Sequence, residues 1–187
     1  MEILKVENGY LSNNYIIFNN DKAVLVDCSL PVEKLKQILG DRTLCGVFLT
    51  HGHFDHFYSL KQVLDNFNCN VYMNERAYNK LGNSEDNASS YFNCPFTTSI
   101  DRDKIVFVKD NQILSLIDKN FEILEAFGHT DDSILIKIDE NVFTGDFVFA
   151  EGYGRTDFKT GNFNTFKKYL KKHLPLLEKS ILYYGHN

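Results

Sequence analysis

Three of the chain's six histidines fall in one short window, Thr50-His51-Gly52-His53-Phe54-Asp55-His56. The apolar run Val47-Phe48-Leu49 precedes it, and a segment with Leu60, Val63, Leu64 and Phe67 on one helical face follows. The cluster therefore belongs at a strand-to-helix turn, where the backbone can aim several side chains into one space. Gly52 is read as supplying unusual dihedrals at that turn. Imidazole beside carboxylate is the ligand set that a borderline cation such as zinc takes. A fold built around this window must bring further ligands to the same place.

Three further residues have the right placement. His129 in Phe127-Gly128-His129-Thr130 follows the run Phe121 to Ala126, and His186 in Tyr184-Gly185-His186-Asn187 follows Ile181 to Tyr183. Asp146 ends Phe143-Thr144-Gly145-Asp146 in the same manner. Each stands just beyond a strand-like run and beside glycine, which lets the backbone bend and pass close to an ion. Taken alone, Asp146 reads equally well as the cap of a turn. Ligand-type residues repeated at strand ends are what assemble a site across a sheet edge. The sixth histidine, His173, is placed in the last turn of a helix with a surface or helix-dipole role.

Strands are expected at Asn14 to Phe18, Ala23 to Asp27, Gly46 to Thr50, Asn70 to Met73 and Lys104 to Val108. Others are expected at Gln112 to Ile117, Phe121 to Ala126, Ser133 to Ile138, Val142 to Thr144 and Ser180 to Tyr184, with one more at the N-terminus. Helices are expected where Pro31 opens a first turn and Gly40 stops it, after His56, and from Asn74 to Leu81. A last helix carries Phe163, Phe166, Leu170 and Leu174, closed by Pro175. The polar stretch from Gly82 to Ile100 is too long for a turn and reads as either a functional or a disordered loop. Its Tyr91 and Phe92 are candidates for the wall of a substrate pocket; a variable surface loop is the other reading. Strands alternating with helices in residues 1–187, without a linker or repeat, indicate one α/β domain with helices covering sheet faces.

A net charge of −5 gives no global basic surface for nucleic acid or anionic lipid. The cluster Lys167, Lys168, Lys171 and Lys172 reads as a solvated helix face. No apolar run reaches the ~18 residues that a membrane span requires, and the N-terminus lacks the layout of a secretory signal. A cytoplasmic location is the expectation. Cys28, Cys45, Cys69 and Cys94 form no Cys-x-x-Cys pair and read as buried free thiols.

The order His-x-His-x-Asp-His, Gly-His-Thr, Gly-Asp, Gly-His resembles the metallo-β-lactamase superfamily along nearly the whole chain. The resemblance implies a four-layer αβ/βα sandwich, two mixed β-sheets with helices on the outer faces and a dinuclear site at one edge. It implies that His51, His53 and His129 hold one metal, that Asp55, His56 and His186 hold the other, and that Asp146 bridges them. Asp146 stands where zinc β-lactamases of the commonest class carry cysteine, which disfavours antibiotic hydrolysis. Gly154-Arg155-Thr156-Asp157-Phe158 is similar to a segment of glyoxalase II-like hydrolases and of persulfide dioxygenases. Arg155 and Asp157 are read either as an ion pair ordering the loop under the site or as substrate contacts. With Asn187 alone after His186, the chain is closer to short, single-domain bacterial glyoxalase II-like proteins.

The expected function is hydrolysis of a small thioester, such as an S-2-hydroxyacyl thiol, by hydroxide shared between two divalent metals. Zinc is the leading metal, with iron or manganese also accepted by such ligands. Asp55 is expected to serve both as ligand and as the group that orients the attacking hydroxide. The alternatives are an iron-dependent persulfide dioxygenase using His51, His129 and Asp146, and a non-catalytic metal-binding module. The only partner expected is the small-molecule thioester.

Overall fold

The computed structural model describes residues 1–187. Strands β1 (Glu2–Asn8), β2 (Leu11–Asn19), β3 (Lys22–Val26), β4 (Thr43–Phe48), β5 (Asn70–Met73) and β6 (Ile105–Phe107) form one sheet in that order. The β1–β2 and β2–β3 pairs are antiparallel, and β3 to β6 run parallel. The second sheet has the order β11 (Ile181–Tyr184), β10 (Asn141–Gly145), β9 (Ile134–Ile138), β8 (Lys119–Glu125), β7 (Gln112–Leu116). All its pairs are antiparallel except β10–β11.

Side chains two apart on a strand share a face, and that rule divides the apolar runs between two cores. Tyr15, Ile17, Val24, Val26, Phe48 and Tyr72 point inward and meet Phe121, Ile123, Ile134, Ile136, Ile138 and Phe143 of the second sheet. Their neighbours Ile16, Phe18, Ala23, Leu25, Val47, Val71 and Met73 point outward. There they are covered by α1 (Val32–Leu39), α3 (Leu60–Asn66) and α4 (Glu75–Leu81), through Leu35, Leu39, Leu60, Val63, Ala77 and Leu81. On the far side, α5 (Phe163–Leu177) lays Phe166 and Leu177 on Leu124, Leu135 and Val142. The result is the four-layer αβ/βα sandwich. No helix is long and apolar enough to cross a membrane.

The window after β4 contains a short helix, α2 (Phe54–Phe57), separate from α3. The chain turns between them, where Ser59 N–H donates to Cys28 O at 2.9 Å. Gly52 has no positive φ; its role is close approach, since a Cβ there would lie 3.1 Å from Ala77 Cα and from Asp132 Oδ2.

Three other expectations need correcting. Pro175 lies inside α5, which runs on to Leu177. A proline in a helix interior costs about 3 kcal/mol, but this one faces solvent and the buried Leu177 anchors the turn beyond it. His173 is therefore not in the last turn and not on the surface: it is 4% exposed, with Nε2 2.7 Å from Glu125 O. Cys28 and Cys69 are buried, but Cys45 is only half-buried and Cys94 is exposed.

The stretch from Gly82 to Ile100 is ordered around Asn87, which is fully buried. Its Nδ2 donates to Lys80 O and Phe96 O at 3.2 and 2.9 Å, and Oδ1 accepts from Ser89 N–H at 3.0 Å. A 3-10 turn follows at Ser89–Phe92. Asn87 O also accepts from Phe54 N–H at 3.0 Å, which ties this loop to the histidine window.

A buried cation braces the same window from α4. Lys80 is 3% exposed, forms an ion pair with Asp132, and reaches Asp131 Oδ1 at 2.7 Å and Thr160 Oγ1 at 3.1 Å. Asp132 Oδ2 accepts the Gly52 N–H at 2.7 Å. Removing one partner of such a pair strands the other's charge out of water. Lys80→Met should therefore destabilise the protein by about 3–5 kcal/mol, read as a lower denaturant midpoint at unchanged m-value. A loss under about 1 kcal/mol, the range of exposed pairs, would show that solvent already screens it.

Candidate metal centre

Because β8 and β10 are both antiparallel to β9, and β11 is parallel to β10, three strands of the second sheet end at one edge. The C-terminal ends of β3 and β4 meet that edge from the first sheet. A backbone hydrogen bond joins the two sheets there, Ile134 N–H to Thr50 O at 2.8 Å, and Gly185 N–H donates to Gly145 O at 2.8 Å. His51, His53, Asp55 and His56 come from the β4 side, and His129, Asp146 and His186 follow β8, β10 and β11.

Donor atoms of these seven residues fall into three overlapping groups, each within 4.8 Å: His51, His53 and His129; His51, His56 and Asp146; Asp55, His56 and His186. His129 Nε2 is 3.1 Å from His53 Nδ1, and His186 Nε2 is 3.1 Å from Asp55 Oδ2. Asp146 lies between the groups: Oδ1 is 3.3 Å from His56 Nε2, and Oδ2 is 3.6 Å from both His129 Nε2 and His186 Nε2. The structure thus brings all seven expected ligands together and leaves His173 apart.

Several rings are held from behind. His51 Nδ1 meets Thr50 Oγ1 at 3.1 Å, His56 Nδ1 meets Asp27 Oδ2 at 2.8 Å, and His129 Nδ1 meets Arg155 O at 2.7 Å. Such contacts set ring orientation and tautomer and leave the opposite nitrogen as a lone-pair donor. Asp27 is itself fixed, its Oδ1 accepting Thr50 N–H at 2.9 Å, and it adopts φ +58°. Sequence reading overlooked Asp27 as a functional residue. The available signal was its position: an acid directly after the apolar run Ala23 to Val26, placed as Asp146 is after β10.

The electrostatics fit a cation. Burial, reinforced by neighbouring histidines, holds His51 and His53 well below the ordinary imidazole pKa, and burial lowers His129 as well. Neutral rings are what a metal needs. Burial would also lower His56, but the carboxylates of Asp27, Asp146 and Asp55 outweigh it and raise that pKa well above normal. A divalent ion among the same carboxylates competes directly with that proton. Burial opposes ionisation of Asp146, yet His56 foremost, then His129 and His186, bring it down to about 2. Asp55 is likewise lowered, against burial, by His56 and His186.

The fit shows most directly in the atoms left without partners. His51 Nε2, His53 Nε2, His56 Nε2 and Asp146 Oδ1 are buried and make no hydrogen bond. Orphaned polar atoms are costly in a folded interior, and here they converge on one space. Gly185 preserves that space, because a Cβ there would lie 2.1 Å from Asp146 Oδ1 and 2.8 Å from His56 Cε1. Five imidazoles and two carboxylates suit zinc, iron or manganese.

A cavity of about 320 Å³ opens over the cluster, lined by His53, Asp55, His129, Asp146 and His186 with Tyr10, Phe92, Phe149, Phe158 and Arg155. Arg155 pairs with Asp157 at 2.7 and 2.8 Å and lies over the Phe158 ring at 4.3 Å. Asp157 and Tyr91 do not line this cavity: Asp157 anchors Arg155, and the Tyr91 hydroxyl meets the guanidinium at 3.2 Å. Of the two aromatic residues expected in the wall, Phe92 is there and Tyr91 braces it from behind.

Comparison with known proteins agrees with this architecture. The profile of the metallo-beta-lactamase superfamily matches residues 8–186. Hydroxyacylglutathione hydrolase GloC of Haemophilus influenzae is 32% identical over 192 residues, spanning 100% of this chain and 90% of that protein. The crystal structure of the BLEG-1 B3 metallo-beta-lactamase has a TM-score of 0.91 and 28% identity, covering 100% of this chain and 92% of the other. ETHE1 from Myxococcus xanthus has a TM-score of 0.78 and 27% identity, covering 100% and 76% respectively. Matched through its fold and nearly its whole length, the chain belongs to the metallo-beta-lactamase superfamily, as a metal-dependent hydrolase.

Proposed function

We propose that the protein hydrolyses a small thioester, an S-2-hydroxyacyl thiol, at this centre. The observation that carries the proposal is the set of buried, unpartnered ligand atoms around Asp146, facing a substrate-sized cavity. The likeness to a hydroxyacylglutathione hydrolase supports the choice of bond. His51, His53 and His129 would hold one divalent metal, Asp55, His56 and His186 a second, and Asp146 would serve both; zinc is the first choice. Ions held there would supply Lewis acidity, polarising an acyl carbonyl and acidifying water.

The chain's own groups do the remaining work. Asp55, kept ionised and facing the cavity, accepts a hydrogen bond from the attacking water and orients it. Asp27, Thr50 and the Arg155 carbonyl keep the imidazoles aimed. Phe149 and Phe158, half-buried at the rim, limit the water that reaches the ligands, which strengthens the charge interactions inside. Water adds its oxygen to the acyl carbon and releases its protons to solvent in the cavity, the C–S bond breaks, and the products leave as carboxylate and thiolate. Thiols leave as stable anions, so no strong acid is required. Arg155 reaches the cavity while paired to Asp157; its side chain therefore borders substrate, and its carbonyl holds His129.

The likeness to a B3 metallo-beta-lactamase brings a second reading, hydrolysis of a β-lactam amide, and the same assay decides between them. Protein purified without added metal should carry about two equivalents of divalent metal and turn over S-lactoylglutathione faster than a β-lactam. One equivalent of iron, with oxygen uptake on a persulfide and no hydrolysis, would instead make it a dioxygenase.

The two triads should differ in hold. His51, His53 and His129 are at most 4% exposed, whereas the Asp55 and His186 side chains are 18% and 31% exposed. Stepwise chelation, followed by elemental analysis, should remove the Asp55–His56–His186 metal first and leave a one-metal species; simultaneous loss would contradict this. His53→Ala should lower kcat more than about 100-fold, beyond what changes behind the ligands do, with circular dichroism unchanged. Retained turnover would rule out the two-metal mechanism.

A further inference from the structure

A second recess adjoins the cavity over the metal ligands. It measures about 420 Å³ and is lined by Tyr10, Leu11, Phe54, Asp55 and Phe92. Tyr10, Asp55 and Phe92 border both spaces, so the recess opens directly onto the reacting centre. Four of its five lining residues are apolar, and the fifth is a carboxylate directed at the metal cluster.

Its composition selects an occupant. The lining offers no side-chain cation, and the only charge on it is negative, so an anionic group gains nothing there. The permanent cation of the region, Arg155, borders the first cavity and not the recess. Phe92 and Tyr10 are 57% and 103% exposed, and Phe54 packs against Phe92 at 6.1 Å between centroids. Aromatic and aliphatic surface of this kind at the mouth of a site is stabilised by covering it with apolar substrate. A lactoyl group, with one methyl beyond its hydroxyl-bearing carbon, covers almost none of it.

We infer that the recess of Tyr10, Leu11, Phe54 and Phe92 is an acyl-chain subsite, and that the substrates are 2-hydroxyacyl thioesters bearing an aliphatic or aryl chain. The inference rests on the thioester reading of the metal centre. The scissile carbonyl sits at Asp55, the acyl chain runs out over Phe54 toward Tyr10, and the thiol carrier lies toward Phe158 and Arg155.

Two measurements separate the subsite from the reaction. With metal-loaded protein, kcat/KM for lactoyl, 2-hydroxyhexanoyl and 2-hydroxyoctanoyl thioesters of one thiol should rise about threefold per methylene until the recess is filled. Leu11→Ser and Phe92→Ser should each flatten that slope at least twofold. Independently of turnover, calorimetric binding of the product acids lactate, 2-hydroxyhexanoate and 2-hydroxyoctanoate should tighten by a similar factor per methylene, and less so in the two variants. Hydrolysis of the lactoyl thioester with no dependence on chain length would overturn the subsite and leave the thioester reading intact. Absence of all thioester hydrolysis, with product-acid affinity still rising with length in a Leu11- and Phe92-dependent way, would remove the reaction and keep the apolar subsite. Flat binding across the acids would overturn the subsite whatever the activity.

Discussion

Five imidazoles and two carboxylates are gathered at one sheet edge with most of their surface out of water, and the surrounding structure answers that constraint. Such groups repel, or stand without partners, unless each is held in one orientation and a cation completes the set. The hold comes from behind: Asp27 and Thr50 from the first sheet, the Arg155 carbonyl from the loop after β10, and the Lys80–Asp132 pair through the Gly52 N–H. Apart from Thr50 and His51, which are neighbours, these contacts join segments far apart in sequence. The site is therefore as rigid as the junction between the two sheets and is set by tertiary structure.

The parts legible in the sequence were those whose information is local. The His51–His56 window shows its chemistry within one turn, and the ligands at strand ends show theirs by following Val-, Ile- and Phe-rich runs. Most strands kept their positions because burying even one face leaves little freedom of register. What could not be read depends on distant partners. Asp27 and Asp132 look like ordinary turn acids until β3 and the loop after β8 are brought against the window. Lys80 looks like a surface lysine on a helix. Pro175 looks like a stop signal because the anchor that overrides it, Leu177, acts through a sheet across the core. His173 looked exposed for the same reason: its partner is a carbonyl on β8. The stretch from Gly82 to Ile100 read as loose because polar composition does not reveal that Asn87 satisfies five backbone groups around itself.

Chemistry and selectivity occupy different parts of the same wall. The side nearest the sheets is polar, fixed and built from strand ends, whereas the outer side is aromatic and built from the β1–β2 turn, α2 and the Asn87 loop. On the inferred subsite, substituting Tyr10, Leu11 or Phe92 would alter what is recognised without touching the seven candidate metal ligands. Phe54 is the exception, since it stands between His53 and Asp55 and its N–H is tied to Asn87. It links the two functions, so a change there affects both.

The thiol of Cys28 lies one residue beyond Asp27, and its backbone N–H donates to His56 O at 2.6 Å. Thiolate is the softest ligand the chain could offer the centre. Cys28 is fully buried in the helix-side core, however, and burial raises its pKa well above that of a free thiol. Kept protonated and packed among apolar neighbours, it neither biases the centre toward copper-like ions nor attacks a disulfide. A disulfide arriving from solution therefore meets the exposed Cys94 and not the thiol nearest the candidate metal ligands.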